Sequence, residues 1–375
     1  MMRNLHLCTA SAMLFLLPLC VAIGCSKQSG NSTAPVSAAN ASGAKKRIVL
    51  LNNTDSAFWD AARAGIDQAV VDLGLEAKGF TAGMDSNDGT EQGQIEKLRQ
   101  YGTQSDIVAV MISPTSATNP AIADELNTLK SKGVLIGCFD SDLDAKFQSS
   151  RDFYIGTNNS QGGKVLGTAA KNLRPEGGAY VQFVGLDSQQ NAIDRMDGFT
   201  AAVGDKFEQK DRRLDDADRS RARDNVRSAI DKFPDLNMLV GIWSYNAPAI
   251  ADVVKERDVR DKFTIAVFDA EQLAIQQMGD GMFDVMVVQN PMAMGYESVR
   301  YAVAKLTGDE KTAAELFPEL GKPGGDVHDT GLKVVVPADG SPLKPEMFSE
   351  FGDKVQFIRF PEFQAWMKSN NLTSS

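Results

Sequence analysis

Cysteine and histidine are scarce in this chain of 375 residues, which has four of the first and two of the second. Three of the cysteines stand near the N-terminus: Cys8, Cys20 and Cys25. Cys138 is therefore alone in the rest of the sequence, which excludes an intramolecular disulfide there, and its apolar neighbours predict a small buried hydrophobe. Because His6 also lies near the N-terminus, a histidine zinc site or a serine–histidine–aspartate triad would depend on His328 alone and is nearly excluded.

Features that would bind phosphate or nucleic acid are also missing. The net charge is −10, and no basic stripe could neutralise a phosphate backbone, so nucleic acid is not expected as a partner. No G-x-x-x-x-G-K-[S/T] motif is present. The run Asp85–Gly89 superficially resembles a calcium loop, but Gly89 occupies a ligand position, so we predict neither a metal nor a cofactor.

Residues 1–25 have the composition of an export signal. Arg3 precedes a short apolar stretch, Leu7–Ile23, which spans a membrane poorly and has no basic flank after it. The segment 21–25 resembles a bacterial lipobox, although Ala22 stands where leucine is usual, so Cys25 is the predicted lipidation site. Plain secretion with cleavage elsewhere is the alternative. Residues 26–46, rich in small and polar side chains, are predicted to form a flexible tether to a membrane.

Strand and helix patterns alternate along the rest of the chain. Apolar positions at helical spacing run from Ala61 to Leu73, where Gly74 is placed to stop the helix, and a second helix is predicted over Pro120–Ser131. Short apolar runs predict buried strands at Ile48–Leu51, Ile107–Ile112, Val134–Phe139, Ala179–Val184, Met238–Ile242, Thr264–Phe268 and Asp284–Val288. Such alternation predicts an α/β fold with parallel sheets covered on both faces. The strands are too many for one compact sheet, which favours two doubly wound, Rossmann-like lobes.

Nearly every predicted strand is followed by an amide, a carboxylate, a hydroxyl or an aromatic side chain. In open parallel sheets, ligands bind at the carboxyl ends of the strands. Carboxylates and amides suit the many neutral hydroxyls of a sugar, and aromatic rings pack against its C–H faces. The pattern therefore predicts a sugar-like ligand.

A series of segments in order resembles the periplasmic sugar-binding proteins of ABC importers, of the ribose-binding type. The segments are Ile48–Trp59, Met84–Asp88 with Gln92–Leu98, Ile155–Lys164, Asn191–Phe199, Val267–Asp269, Val288–Asn290 and Thr330–Val335. Each match is weak alone, whereas the ordered series, from Arg47 to about Pro337, is specific.

The resemblance implies two lobes joined by a hinge of three crossovers, with the ligand enclosed between them. The expected first lobe comprises residues 47–157 and 290–326, and the second comprises 158–289 and 327–340. The hinges are expected near Thr157-Asn158, Gln289-Asn290 and Val327–Thr330. Residues 341–375 are expected to form a tail that packs on a lobe.

The resemblance also implies the ligand contacts. Phe58 and Trp59 are expected to stack on the sugar, Asp140 and Asp269 to accept two hydroxyl hydrogen bonds each, and Asn159 and Gln289 to add further contacts. The resemblance implies ligand contacts by Ser113, Asn191 and Ser244 less strongly. Two arginines of the ribose proteins are replaced here by Ser141 and Ile193, so the identity of the sugar stays open.

Structural roles compete with these assignments. Asp140 and Asp269 could instead cap helices, and Trp243 is expected to pack rather than to touch ligand. Arg195 is expected to order its loop, and Gly162-Gly163 to allow close packing.

The predicted function is that of a monomeric, lipid-anchored solute-binding protein that delivers a sugar or polyol to an ABC transporter permease. A receptor that presents the sugar to a membrane signalling partner is the alternative. A sugar-processing enzyme ranks lower, although two carboxylates suffice for a retaining glycosidase.

Overall fold

The computed structural model describes residues 45–375. Within this range the strands are β1 Lys46–Leu51, β2 Phe80–Asp85, β3 Ile107–Ile112, β4 Leu135–Phe139, β5 Phe153–Gly156, β6 Gly178–Val184, β7 Phe207–Leu214, β8 Leu236–Gly241, β9 Thr264–Phe268, β10 Val285–Val288, β11 Val327–Asp329, β12 Leu332–Val336 and β13 Val355–Arg359. The helices are α1 Phe58–Asp72, α2 Glu91–Tyr101, α3 Pro120–Ser131, α4 Asn159–Leu173, α5 Gln190–Val203, α6 Arg219–Lys232, α7 Asn246–Glu256, α8 Gln272–Gly279, α9 Pro291–Thr307, α10 Glu310–Leu316 and α11 Phe360–Ser369. Short 3₁₀ helices occupy Ala145–Ser150, Arg260–Lys262 and Pro345–Phe351.

The first lobe is built on a six-stranded, all-parallel sheet of order β11-β5-β4-β3-β1-β2. Side chains alternate along β1, so that Ile48 and Leu50 join the core beneath α1 and α9, whereas Val49 and Leu51 join the core beneath α2 and α3. Both faces of the sheet are therefore buried, as the continuous apolar runs predict. Cys138 is fully buried in the second of these cores.

The second lobe has a seven-stranded sheet of order β13-β12-β10-β9-β8-β6-β7. β12 runs antiparallel to β10, and every other pairing in this sheet is parallel. Phe199 of α5 lies in the core on one face, and Val253 of α7 lies in the core on the other. The tail adds β13 to the sheet edge and places Phe363 and Met367 of α11 in that second core.

The chain passes between the sheets three times, at Thr157-Asn158, at Gln289-Asn290 and at Thr330-Gly331. The prediction of an α/β fold with two doubly wound lobes and a three-crossover hinge is confirmed. Two expected boundaries are wrong. Lys46, expected to end the tether, is the first residue of β1 and pairs with Phe80. Residues 327–329, assigned from sequence to the second lobe, form β11 and pair with β5 in the first sheet. The strand is short and half exposed, so its pattern does not reveal which sheet it joins.

Glycines let two pairs of helices approach closely. A Cβ on Gly65 of α1 would lie 2.0 Å from the Met292 carbonyl oxygen of α9, and a Cβ on Gly163 of α4 would lie 2.3 Å from the Arg195 carbonyl oxygen of α5. The second contact fixes the backbone of Arg195 against α4. Gly163 therefore has the packing role that the sequence favoured. Among the described residues, no helix has the length and apolar character needed to cross a membrane.

Candidate functional site

A cleft lies between the lobes, where the carboxyl ends of β1, β4, β6, β8, β9 and β10 face one another. Its empty space, counting the part open to solvent, is about 420 Å³. The lining side chains are Asn53, Thr54, Ser56, Phe58, Trp59, Asp140, Gln189, Asn191, Arg195, Trp243, Ser244, Tyr245, Asp269 and Gln289. The location is the one at which open parallel sheets bind ligands.

The two aspartates of the cleft share an unusual backbone conformation. Asp140 has a φ of 61° and Asp269 a φ of 63°, in the left-handed region that most residues avoid. In each case the residue directly follows a strand and its N–H donates to the neighbouring strand, to the Ile155 oxygen at 3.2 Å and to the Val287 oxygen at 2.9 Å respectively. This conformation ends the strand and directs each carboxylate into the cleft.

Neither aspartate caps a helix, so the capping alternative is wrong. The 3₁₀ helix after β4 is capped by Asp144, whose carboxylate accepts a hydrogen bond from the Lys146 N–H. The N-cap position of α8 is Glu271.

Asp140 is buried with only neutral hydrogen-bond donors. The Ser113 hydroxyl donates to its Oδ2 at 2.9 Å, and the Asn191 amide approaches the same oxygen at 3.4 Å. Burial raises the pKa of Asp140 from 3.8 to about 6, although the charge of Arg195 and the Ser113 hydrogen bond oppose the rise. This carboxyl is poised to change its protonation state in mildly acidic solution.

Asp269 is paired with a cation instead. Arg195 Nη1 lies 3.3 Å from its Oδ2, and the Gln289 amide donates to its Oδ1 at 2.9 Å. Burial raises the pKa of Asp269, and the charge of Arg195 opposes that rise. Arg195 also stacks over the Phe268 ring at 4.7 Å. Its Nε donates to Asn159 Oδ1 at 2.9 Å, so the guanidinium is held on three sides.

Aromatic rings line both walls of the cleft. Phe58 and Trp59 begin α1 and meet edge to face, with ring centroids 4.9 Å apart. Both line the cleft and also pack into the first-lobe core. The second lobe contributes Trp243 and Tyr245 from the loop after β8.

Seven of the nine residues expected to contact ligand line the cleft: Phe58, Trp59, Asp140, Asn191, Ser244, Asp269 and Gln289. The other two stand behind it and hold the charged groups. Ser113 donates to Asp140, and Asn159 accepts from Arg195. Within residues 45–375 no cluster of acidic, histidine and cysteine side chains suits a metal ion.

Several lining residues were not assigned from the sequence. Asn53 and Gln189 meet across the cleft, where the Asn53 amide donates to Gln189 Oε1 at 2.9 Å. No local pattern marks such a pair, because its partners lie in different lobes. Trp243 was expected to pack, yet it lines the cleft. Its position directly after a buried strand could have identified it as a cleft residue.

Four polar atoms of lining residues are buried without a hydrogen-bond partner among the described residues. Two of them, Asn191 Oδ1 and Gln289 Oε1, accept hydrogen bonds, and the other two, Arg195 Nη2 and Trp243 Nε1, donate them. Buried polar groups are nearly always paired, so the cleft is shaped for a ligand that both donates and accepts.

The lobes also touch directly. The Ala117 N–H of the first lobe donates to the Ser188 carbonyl oxygen of the second at 3.1 Å, beside the Asn53–Gln189 pair. The cleft is therefore held in a closed arrangement.

Solved structures of solute-binding proteins have a similar fold. An ABC transporter protein from Burkholderia graminis, in complex with D-arabinose, matches with a TM-score of 0.68 at 20% identity, over 78% of this chain and 96% of that chain. Two proteins from Agrobacterium vitis also match. One, with D-fucose, has a TM-score of 0.68 at 18% identity over 80% and 98% of the two chains. The other, with α-D-tagatopyranose, has a TM-score of 0.67 at 19% identity over 77% and 94%.

At these identities the structural likeness shows a shared fold. No curated protein has a significant sequence match to the chain. Residues 47–310, more than half of the sequence, match the family described as periplasmic binding protein domain. The chain therefore belongs to the periplasmic binding protein family.

Proposed function

We propose that the protein captures a small sugar or polyol between its lobes and delivers it to an ABC importer. The observation that carries this proposal is the set of unpaired buried atoms in the cleft, two acceptors and two donors. Sugar hydroxyls both donate and accept hydrogen bonds, and the carboxylates of Asp140 and Asp269 add further acceptors. Phe58 and Trp59 offer apolar faces for the ring.

The similar solved structures support the size of this ligand, since three of them hold D-arabinose, D-fucose and tagatopyranose.

The protein acts as a binder and not as an enzyme in this proposal. His328, the only histidine in residues 45–375, lies away from the cleft and contacts the Leu316 carbonyl oxygen. No observation favours a signalling role over transport.

A thermal-shift screen against pentoses, hexoses, polyols and cyclitols tests the proposal. A ligand at 100 times its Kd should stabilise the protein by about 2.7 kcal/mol. Calorimetry should then give one site per chain, and chromatography should recover the sugar unchanged. If no compound in the panel stabilises the protein, the proposal fails. Chemical conversion of the sugar would instead support the alternative of a sugar-processing enzyme.

Closure around the ligand is a further part of the proposal. Opening must break the cross-lobe contacts of Ala117 and Asn53, so a ligand held by both lobes would favour the closed form. Small-angle scattering should show a smaller radius of gyration with sugar than without it. Superimposable profiles for a tightly bound sugar would rule out closure.

The proposal includes export and a lipid anchor at Cys25, which lies outside the described residues. A lipidated cysteine followed by a tether would keep the binding lobes near a transporter at the cell envelope. Mass spectrometry of the membrane-extracted protein should find an acylated Cys25, and Cys25→Ala should release soluble protein. An unmodified mature N-terminus would contradict the anchor. We also propose that the chain acts as a monomer, which light scattering can check.

A further inference from the structure

Trp243 rests on a glycine that leaves no room for a side chain. A Cβ on Gly185, in the loop after β6, would lie 2.0 Å from a carbon of the Trp243 ring and 2.6 Å from the Tyr245 hydroxyl. The indole therefore packs directly on backbone, and its position depends on the residue at 185.

A buried network fixes the same loop from below. The backbone N–H of Trp243 donates to Asn246 Oδ1 at 3.0 Å, and the Asn246 side-chain amide donates to Asp215 Oδ2 at 2.9 Å. The Tyr245 hydroxyl donates to Asp215 as well, and the Tyr245 ring meets Trp243 edge to face at 6.3 Å. Asp215 is fully buried. These contacts within the protein therefore hold the indole in place even without a ligand.

The Nε1–H of this fixed indole is buried in the cleft and has no partner within residues 45–375. An indole nitrogen can only donate, so the group that satisfies it must be an acceptor such as a hydroxyl or ring oxygen. A donor held this firmly cannot turn to follow a differently placed hydroxyl.

We propose that Trp243 is a specificity-determining residue, which donates to one oxygen of the ligand and excludes sugars that lack an oxygen there. This inference rests on the proposed sugar-binding function. Loss of one hydrogen bond that leaves a buried group unpaired corresponds to a fall in affinity of about 5- to 150-fold.

The test uses the best sugar from the screen and its monodeoxy analogues. Trp243→Phe should weaken binding of the parent sugar by about 5- to 150-fold. It should have little effect on the one analogue that lacks the partner oxygen. Trp366→Phe, on α11, is the matched control and should bind like the wild type. Equal losses for every analogue, or no loss, would overturn the inference.

A second measurement does not depend on the variant folding. The wild-type protein has three tryptophans, so its indole N–H signals can be followed by nuclear magnetic resonance. Sugar binding should shift the Trp243 signal and slow its exchange with solvent, with the Trp366 signal as reference. An unshifted Trp243 signal in the sugar complex contradicts the inference alone. Failure of every sugar to bind overturns the proposed function, and this inference with it.

An independent observation concerns the segment Ser374-Ser375, which lies buried between the lobes. Ser375 pairs with Ala270 of the second lobe through two backbone hydrogen bonds, of 2.6 and 2.9 Å. Its hydroxyl donates to the Gln289 carbonyl oxygen, at the second crossover, at 3.1 Å. The Ser374 hydroxyl donates to the Ala57 carbonyl oxygen of the first lobe at 2.6 Å. The two serines are 2% and 1% exposed.

These contacts adjoin the cleft on both sides. Ala57 precedes Phe58, and Ala270 follows Asp269. Because α11 anchors the segment in the second-lobe core, separating the lobes must break the Ser374–Ala57 hydrogen bond or pull the segment out. We infer that Ser374-Ser375 acts as a strap that stabilises the closed form.

Fluorescence energy transfer between dyes on the two lobes tests the strap without any ligand. Ser374→Ala should increase the ratio of open to closed molecules by about fivefold, the equivalent of one neutral hydrogen bond. With sugar bound, dissociation should be faster by a similar factor. Thr373→Ala, an exposed neighbour, is the control. Identical open fractions in Ser374→Ala and the wild type would overturn the strap and leave the proposed function intact.

Discussion

Asp140 and Asp269 occupy equivalent places in the two lobes and have nearly the same backbone conformation. Their partners differ. Asp140 receives hydrogen bonds from neutral groups, whereas Asp269 forms an ion pair with the buried Arg195. The protonation state of Asp140 should therefore depend on pH, and its carboxylate can accept hydrogen bonds from a ligand. Asp269 also holds the site together, and the two should respond differently to the same substitution.

The largest expected effect is that of Asp269→Ala. It leaves the Arg195 guanidinium, 1% exposed, without its counterion, and removing one member of a buried pair costs about 3–5 kcal/mol of unfolding free energy. Denaturant unfolding of the ligand-free protein measures this loss. Sugar binding should be lost as well.

Asp140→Ala is the comparison that makes the first result informative. It removes a buried carboxylate with no ion pair, so the unfolding free energy without ligand should stay the same or rise. Sugar affinity should still fall by about 1.5–3 kcal/mol, since hydrogen bonds to a charged group are lost. Equal destabilisation by the two substitutions would refute the difference between the lobes.

The second prediction concerns pH. The pKa of Asp140 is raised from 3.8 to about 6 in the folded protein, so the folded state binds more protons than the unfolded state between these values. Stability should fall as the pH rises through this window, by about 3 kcal/mol for this group. Asp215, whose pKa burial also raises to about 6, contributes in the same direction. The difference between wild type and Asp140→Asn, measured by urea unfolding at pH 4.5 and 7, therefore isolates Asp140. An unchanged difference across that range contradicts the prediction.

The fold could be predicted largely because central strands are apolar throughout. The apolar run at Ile107–Ile112 gives β3 its bounds, and Pro120–Ser131 gives α3 its bounds. Six strands, β2, β5, β7, β11, β12 and β13, were not among the predicted strands. Four of them, β2, β7, β11 and β13, lie at the edges of the two sheets, whereas β5 and β12 are buried inside the sheets but have only four and five residues. β7 reads Phe207–Leu214 with six charged or amide side chains between its ends, because much of the strand faces solvent.

Part of the candidate site was predictable because the end of one strand is enough to identify a residue, whereas Phe58, Trp59 and Asn191 were expected from the family resemblance. Asp140 and Asp269 each follow a buried run directly, so the general rule for parallel sheets finds them. The ion pair of Asp269 with Arg195 joins residues 74 positions apart and depends on how α5 packs on α4. Likewise, the Asn53–Gln189 hydrogen bond joins residues of different lobes, 136 positions apart in the chain. Both contacts require tertiary distances that no local pattern contains.

The third prediction compares the two glycine contacts. Gly163→Ala must push α5 away from α4 and move the backbone of Arg195, whereas Gly65→Ala must push α9 away from α1, outside the cleft. Each should cost about 1–3 kcal/mol of unfolding free energy, the usual range for overpacking. Gly163→Ala should in addition weaken sugar binding, and Gly65→Ala should not. Calorimetric titration of both variants checks this, and a similar loss of affinity in the two would contradict it.

The smallest expected effect is that of Ser113→Ala, which acts on Asp140 from behind the cleft. The Ser113 hydroxyl donates to the carboxylate at 2.9 Å and so opposes the rise of its pKa. Without this donor the pKa of Asp140 should rise further, and sugar affinity at pH 7 should fall by about 1 kcal/mol. Part of that loss should be recovered at pH 8, where the carboxyl is ionised again. Ser141→Ala is the matched control, because the buried Ser141 hydroxyl has no hydrogen-bond partner among the described residues. If calorimetric titrations at the two pH values give the same shift for both serines, the Ser113 hydroxyl does not tune Asp140.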